Sequence, residues 1–372
     1  VGFLKPNIST IVGELYPQND PRRDGGFTIF YMGINMGAFS SSLLCGWLGQ
    51  TYGWAYGFGL AGIGMLFGLL IFMRGQVHFH GAAEPTNPEL LYEKTALGIT
   101  REKLIYLSAI LMIIAAWQLV QHQAVVGGML GMTGILAILV IVIYAFTKCT
   151  PIERDRLGVA TALIIFSVIF WALFEQAGSS LNIFTDRAVD RHMFGWEVPA
   201  SMFQSINAAF IFMFAPFVSM LWPRLAAKGI EPSTPQKFAI GIFLVGLGFL
   251  ALVLGGTTAG DGLVPLIWIF LIYWLHTMGE LCLSPVGLSM ITKLSVRRIV
   301  SMMMGVWFLA SAGANYIASL IAAATSGGLE GDGASTELIL EVYSRVGWLA
   351  IGIAVLLFAL APLLKKGMHG VR

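Results

Sequence analysis

Three ionisable residues stand inside apolar stretches. Glu175 follows a run without a formal charge from Leu157 to Phe174, Glu280 lies within Leu263 to Leu283, and Lys5 sits in the apolar segment that opens the chain. Charged groups at bilayer depth are costly and rare, and they usually mark ion or proton pathways, with partners facing the interior of a helix bundle. Burial disfavours the charge of a carboxylate and a nearby cation restores it. The protonation of an acid so placed therefore follows whether a positive partner is present, which is what a proton-coupled gate requires.

Polar and aromatic residues recur one helical turn from these acids. Trp171 precedes Glu175 by four positions and Ser284 follows Glu280 by four, so each pair shares a helix face. Pro285 removes a backbone hydrogen bond beside Glu280 and favours a bend there, although proline also kinks purely structural membrane helices. Tyr31 and Asn35 have the same spacing, and an asparagine amide offers donor and acceptor together, matching the C=O and N–H of a peptide bond. Asn207, in Ser205-Ile-Asn-Ala-Ala-Phe210, has interhelical packing as its plain alternative. His276 is read as a packed, satisfied histidine. His78, His80 and His192 lack a ligand pattern, and Arg22, Arg23 and Asp24 read as an anchoring turn. Cys45, Cys149 and Cys282 have neither metal-ligand nor disulfide spacing. No nucleophile–base pair, metal cluster or Walker-type loop appears, so the expectation is a protein that is not an enzyme, with no cofactor and no use of ATP.

The elements that must position these residues are membrane helices. Hydrophobic residues make up 57% of the chain and charged residues 11%, against about 25% charged in a soluble domain, and the mean hydropathy is +0.79. Apolar segments of span length fall near 27–48, 54–73, 104–121, 125–146, 157–178, 201–222, 238–255, 263–290, 301–324 and 346–364. The opening segment is far short of the ~20 residues a span needs, so the chain is expected to begin inside a helix and to be N-terminally truncated. If every span reverses direction, eighteen Lys and Arg residues fall on one side and only Arg187, Arg191 and Arg345 on the other. The positive-inside rule then places the C-terminus in the cytoplasm. Nucleic acid is not an expected partner at a net charge of +2; the lipid bilayer is.

The expected organisation has three parts. Residues 1–73 form a partial N-terminal helix bundle, 74–156 a cytoplasmic linker with an inserted helix pair, and 157–372 a complete six-helix bundle. Two six-helix halves are a common transporter plan. On that plan three helices would precede the sequence, and the pair 104–146 would pack outside the bundle.

The stretches Lys5-Pro-Asn-Ile-Ser-Thr10, Asp20-Pro-Arg-Arg-Asp-Gly-Gly-Phe27 with Phe30-Tyr-Met-Gly-Ile-Asn35, Phe174-Glu-Gln-Ala-Gly-Ser-Ser180, Gly279-Glu-Leu-Cys-Leu-Ser-Pro-Val-Gly-Leu-Ser289 and Met303-Met-Gly-Val-Trp-Phe-Leu309 lie in order along the chain. Together they resemble the proton-dependent oligopeptide transporter (POT/PTR) family of the major facilitator superfamily, over its helices four to twelve. The resemblance implies an all-α polytopic membrane fold of that superfamily, with an extra helix pair between the halves. It implies a bacterial inner-membrane symporter that moves di- and tripeptides inward with protons by alternating access. It also implies roles: Lys5 near the peptide carboxylate and paired with Glu280, Tyr31 and Asn35 on the substrate backbone, Asn207 near its amino terminus, and Trp307 lining the pocket. Trp171, Glu280 and Ser284 complete the expected binding set, and Glu175, Lys5 and Glu280 the proton-coupling set. A zwitterionic peptide needs a cation and an acid at its two ends, which Lys5 and Glu280 would supply. Two other readings are a different small cargo, such as a nitrate-like anion, and a peptide sensor that does not transport. An acid in the site opposes a bare anion, and only eight residues follow Leu364 where a sensor would carry a signalling domain.

Overall fold

The computed structural model describes residues 8, 11–12, 15, 23–79, 81, 84, 87–95, 98–193, 195–260, 262–326 and 335–371. The helices among them are α1 (Arg23–Tyr52), α2 (Trp54–Gly75), the short α3 (Glu89–Tyr92), α4 (Arg101–Gln121), α5 (Gln123–Lys148), α6 (Pro151–Phe174), α7 (Ser180–Ala188), α8 (Ser205–Ala227), α9 (Thr234–Ala259), α10 (Ile267–Leu294), α11 (Val300–Thr325) and α12 (Thr336–Gly367). Ten helical segments among the described residues are long and apolar enough to cross a membrane, and they fall where the hydropathy runs predict them. A backbone in lipid must satisfy its own polar groups, which is why such runs fold as helices.

The structure departs from the sequence expectation in three places. The span predicted over 157–178 stops being α-helical at Phe174; a 3₁₀ turn, Glu175–Gly178, follows, and α7 carries the chain on to Ala188. A two-residue antiparallel hairpin, β1 (His192–Met193) with β2 (Trp196–Glu197), turns through Gly195 at φ +79°. α12 begins at Thr336, ten residues before the predicted apolar run. Its first turns carry Glu337, Glu341 and Arg345, the last two joined as a salt bridge one turn apart, so this end of α12 is built for water rather than lipid.

Helix starts are written in local chemistry. α6 opens with a capping box in which Thr150 and Glu153 satisfy each other's backbone N–H groups, with Pro151 in the first turn. α9 repeats the device with Ser233 and Gln236.

The best-buried part of the molecule is built by α6 and α9 to α12. α9 lies against α10, α12 and α6, and Phe170, Phe238, Phe249, Leu252, Ile272 and Tyr343 are fully buried there. Lipid tails are as apolar as leucine, so close packing of small residues and hydrogen bonds hold such helices together. α9 and α10 touch backbone to backbone: a Cβ built on Gly279 would lie 2.8 Å from the Gly241 carbonyl oxygen. By contrast, the most apolar window of Arg101–Gln121 contains no buried residue, leaving α4 to face lipid.

α1 joins this bundle through α8 and the 3₁₀ turn Ala200–Gln204. Gln50 Oε1 accepts hydrogen bonds from both the Ser201 amide (2.9 Å) and its hydroxyl (2.8 Å). Gly46 makes the approach possible, because a Cβ there would meet Ser201 Oγ at 2.6 Å.

Candidate functional site

α10 carries the acid at the centre of the site. Thr277, Glu280 and Ser284 succeed one another at spacings of three and four, so they line one strip of the helix. Gly279, next to Glu280, faces α9 at the Gly241 crossing and α6 at Phe170. The carboxylate thus hangs from a helix fixed on two sides.

α8 supplies its partner. Asn207 Nδ2 donates to Glu280 Oε2 and to Thr277 Oγ1, each at 3.0 Å. The buried Thr277 hydroxyl donates to the Tyr273 carbonyl one turn earlier (2.7 Å), leaving its oxygen to accept from Asn207. Asn207 and Glu280 are both half-buried. A carboxylate held this way is an acceptor set for a cationic or N–H donor.

Tyr31 of α1 and Glu175, in the 3₁₀ turn after α6, couple electrostatically to the same acid. Glu280 is within electrostatic reach of both the Glu175 carboxylate and the Tyr31 phenol. Tyr31 is exposed, whereas Asn35 is buried and its amide donates to the Tyr31 carbonyl at 3.0 Å. The sequence places this pair on one face of a single helix, and the structure agrees. The Asn35 amide, however, is engaged with its own helix.

Glu175 sits where α6 ends, one residue beyond its last α-helical position, and its backbone N–H still bonds to the Trp171 carbonyl. Expecting both residues on one uninterrupted helix face is therefore correct for the turn but not for the helix. The next residue anchors the break: the fully buried Gln176 donates to the carbonyls of Ala172 (3.0 Å) and Ala318 (3.1 Å). It also accepts from Ser180 Oγ (2.6 Å), which in turn accepts from the Tyr343 hydroxyl (2.9 Å). This chain of bonds ties α6, α7, α11 and α12 together directly behind Glu175.

The aromatic candidates are set further into the packing. Trp171 stands edge-on to Phe170 and Phe174, with ring centroids 5.3 and 5.4 Å away. Trp307 is only 7% exposed. It lies on Gly287 of α10, where a Cβ would come within 2.6 Å of its ring, so little of its surface is left for a ligand. Ser284 is half-buried one turn beyond Glu280, and α10 runs on through Pro285 to Leu294. His276 is packed as the sequence reading expects, between Phe174 and Phe249, with Nε2 3.2 Å from the Val245 carbonyl. Lys5 lies outside the described residues.

Thr277 and Gln176 are the positioning residues that sequence reasoning passes over. Both were visible: Thr277 lies three residues before Glu280, and Gln176 directly follows Glu175 in the stretch Phe174 to Ser180. Their importance rests on partners 70 and 142 residues away. No group of three His, Cys, Asp or Glu residues that could hold a metal occurs among the described residues.

Comparison with known proteins agrees with this architecture. The family model described as "POT family" matches residues 1–337. The chain is 38% identical over its whole length to the uncharacterized transporter YclF of Bacillus subtilis (strain 168), covering 73% of that protein. It is 37% identical to the peptide transporter YePEPT of Yersinia enterocolitica, over 97% of this chain and 72% of that one. Among solved structures, a mutant of a peptide transporter POT in complex with alafosfalin superposes with a TM-score of 0.81 at 34% identity, over 99% of this chain and 73% of the other. With the matched residues running through α1 to α11 and the fold shared, this multi-pass membrane chain belongs to the POT family of transporters.

Proposed function

We propose that this protein is a proton-coupled symporter that imports di- and tripeptides across the bacterial inner membrane by alternating access, with its C-terminus in the cytoplasm. The observation that carries the proposal is the Glu280 carboxylate, held by Asn207 within an apolar membrane helix and within electrostatic reach of Tyr31 on α1 and of Glu175 just past the end of α6. A charge there is expensive unless it serves a pathway, and it is presented where several helices meet. Relatives bearing peptide-transporter names support peptides as the cargo class.

The proposed roles follow from the chemistry of a short peptide. Glu280, steadied by Asn207, receives the substrate ammonium, and Lys5 receives its carboxylate. Tyr31 and Asn35 read the amide between them, with Asn35 turning its amide from its own helix to the cargo. Trp171, Ser284 and the accessible edge of Trp307 bound the pocket. Contacts made with the peptide backbone leave side chains unread, so selectivity among sequences is low. Glu175 is the proton-sensitive group: protonating it breaks its pairing at the gate, and rocking of one half against the other then exposes the site to the opposite side. The driving force is about 2.3 kcal/mol per charge for each 100 mV of membrane potential.

Glu175→Gln tests the coupling. The expectation is that the variant still exchanges labelled dialanine across proteoliposome membranes but no longer accumulates it under an inward proton gradient. Accumulation at the wild-type level would overturn the role given to Glu175.

A further inference from the structure

A cleft that Glu280 does not line lies where α5 ends, α6 begins and α12 ends. Its volume is about 730 Å³, within the range of about 300–1,000 Å³ typical of ligand sites. Its accessible walls are apolar: Val142 and Phe146 of α5, Ala162 and Ile165 of α6, and Leu363 of α12. From Arg154 at the rim to Ile165, α6 rises about 16 Å at 1.5 Å per residue. That is close to the depth of one leaflet of a hydrocarbon core about 30 Å thick.

The rim differs from the walls. Arg154 and Lys366 are exposed at the mouth, and the Arg154 guanidinium lies over the Phe146 ring, 5.2 Å from its centroid. The one acid of the mouth, Asp155, is engaged by His369 at 2.9 Å. Arg156 pins the end of α12 by donating to the carbonyls of Met368 (3.3 Å) and His369 (3.2 Å). The rim is thereby a fixed frame with two outward cations, set over an apolar groove as deep as one leaflet.

We propose that this cleft is a binding site for a phospholipid with an anionic headgroup. Its phosphate sits between Arg154 and Lys366, and one acyl chain fills the groove between α5 and the bundle. The bilayer surrounds the walls, so a lipid chain is the material that reaches them. The two cations select the headgroup, as basic pockets between membrane helices do. The bound lipid wedges α5 of the helix pair onto α6 and α12.

Competition between lipids tests this. Native mass spectrometry of the purified protein with equimolar dioleoyl-phosphatidylglycerol and dioleoyl-phosphatidylcholine should show about a ten-fold preference for the former. Arg154→Gln/Lys366→Gln should bring the two lipids to parity. Gly158→Phe should reduce retention of both, because it fills the groove at a glycine whose added Cβ meets nothing within 4 Å. Parity in the wild type, or an unchanged preference in the double variant, overturns the proposal. So does inorganic phosphate displacing the lipid at equal concentration, since the site would then read the anion and not the chain.

Discussion

At the scale of single residues the proposed site turns on one hydrogen bond. Asn207 aims the Glu280 carboxylate and shares its amide hydrogens with Thr277. Bonds to charged groups contribute about 1.5–3 kcal/mol, so Asn207→Ala should weaken dialanine binding by about ten-fold or more. Asn207→Asp should do worse, because it sets a second carboxylate against the first. Isothermal titration of the two variants beside the wild type checks this, and wild-type affinity in both would mean that Asn207 only packs. The residues themselves were legible in the sequence: an acid, an asparagine and a tyrosine in otherwise apolar spans stand out because lipid makes each of them costly. Their partners were not. Nothing in Ser205 to Phe210 says that Asn207 faces Thr277, 70 positions later, since pairing depends on how α8 and α10 are rotated about their axes. The buried setting of Trp307 was equally hidden, because tryptophan reads alike in a pocket and in a core.

At the scale of elements, two close approaches fix where the site groups stand. α9 and α10 meet at Gly241 and Gly279, leaving no room for a side chain. Gly279→Val should therefore force the helices apart and destabilise the bundle by about 1–3 kcal/mol, seen as a lower Tm in detergent. Gly352→Ala, on α12 with nothing within 4 Å of the added Cβ, should leave the Tm unchanged. Behind Glu175, Gln176→Leu removes a buried side chain that bonds to Ala172, Ala318 and Ser180. The carbonyl of Ala318 and the Ser180 hydroxyl lose a partner, and the expected loss of stability is about 1–3 kcal/mol. A Tm within error of the wild type would show that this network does not hold the turn. Hydropathy located the spans well, since twenty apolar residues in lipid have few alternatives to a helix. It did not locate the 3₁₀ break, because the polar turn Glu175 to Gly178 reads alike in sequence whether its backbone is α or 3₁₀. The early start of α12 was missed for the converse reason: polar first turns extend a helix beyond the bilayer without extending its apolar run.

At the scale of the whole molecule, the two faces have different chemistry. Lys237, Lys293 and Lys365 line one cavity and Arg154 and Lys366 another, so basic helix ends from distant parts of the chain converge on a single face. On the opposite side, Arg191 bridges Asp186 and Glu197, near the point where Gln50 of α1 grips Ser201. A carrier that exposes its site alternately must break such contacts on one side as it makes others across the membrane. Gln50→Ala removes two hydrogen bonds from this contact. Cysteines introduced at positions 46 and 201, where a Cβ added to Gly46 would stand 3.2 Å from that of Ser201, close to disulfide geometry, should cross-link and arrest exchange, and reduction should restore it. Cross-linked protein that still exchanges dialanine would show that this contact need not open.

The claim on which everything else rests is that the protein moves peptides with protons. Uptake of labelled dialanine into proteoliposomes, with and without an inward proton gradient and in the wild type and Lys5→Ala, measures it most directly. Accumulation is expected only when the gradient is applied, and it should be lost in Lys5→Ala. Uptake indifferent to the gradient, or binding of dialanine without uptake, would contradict it.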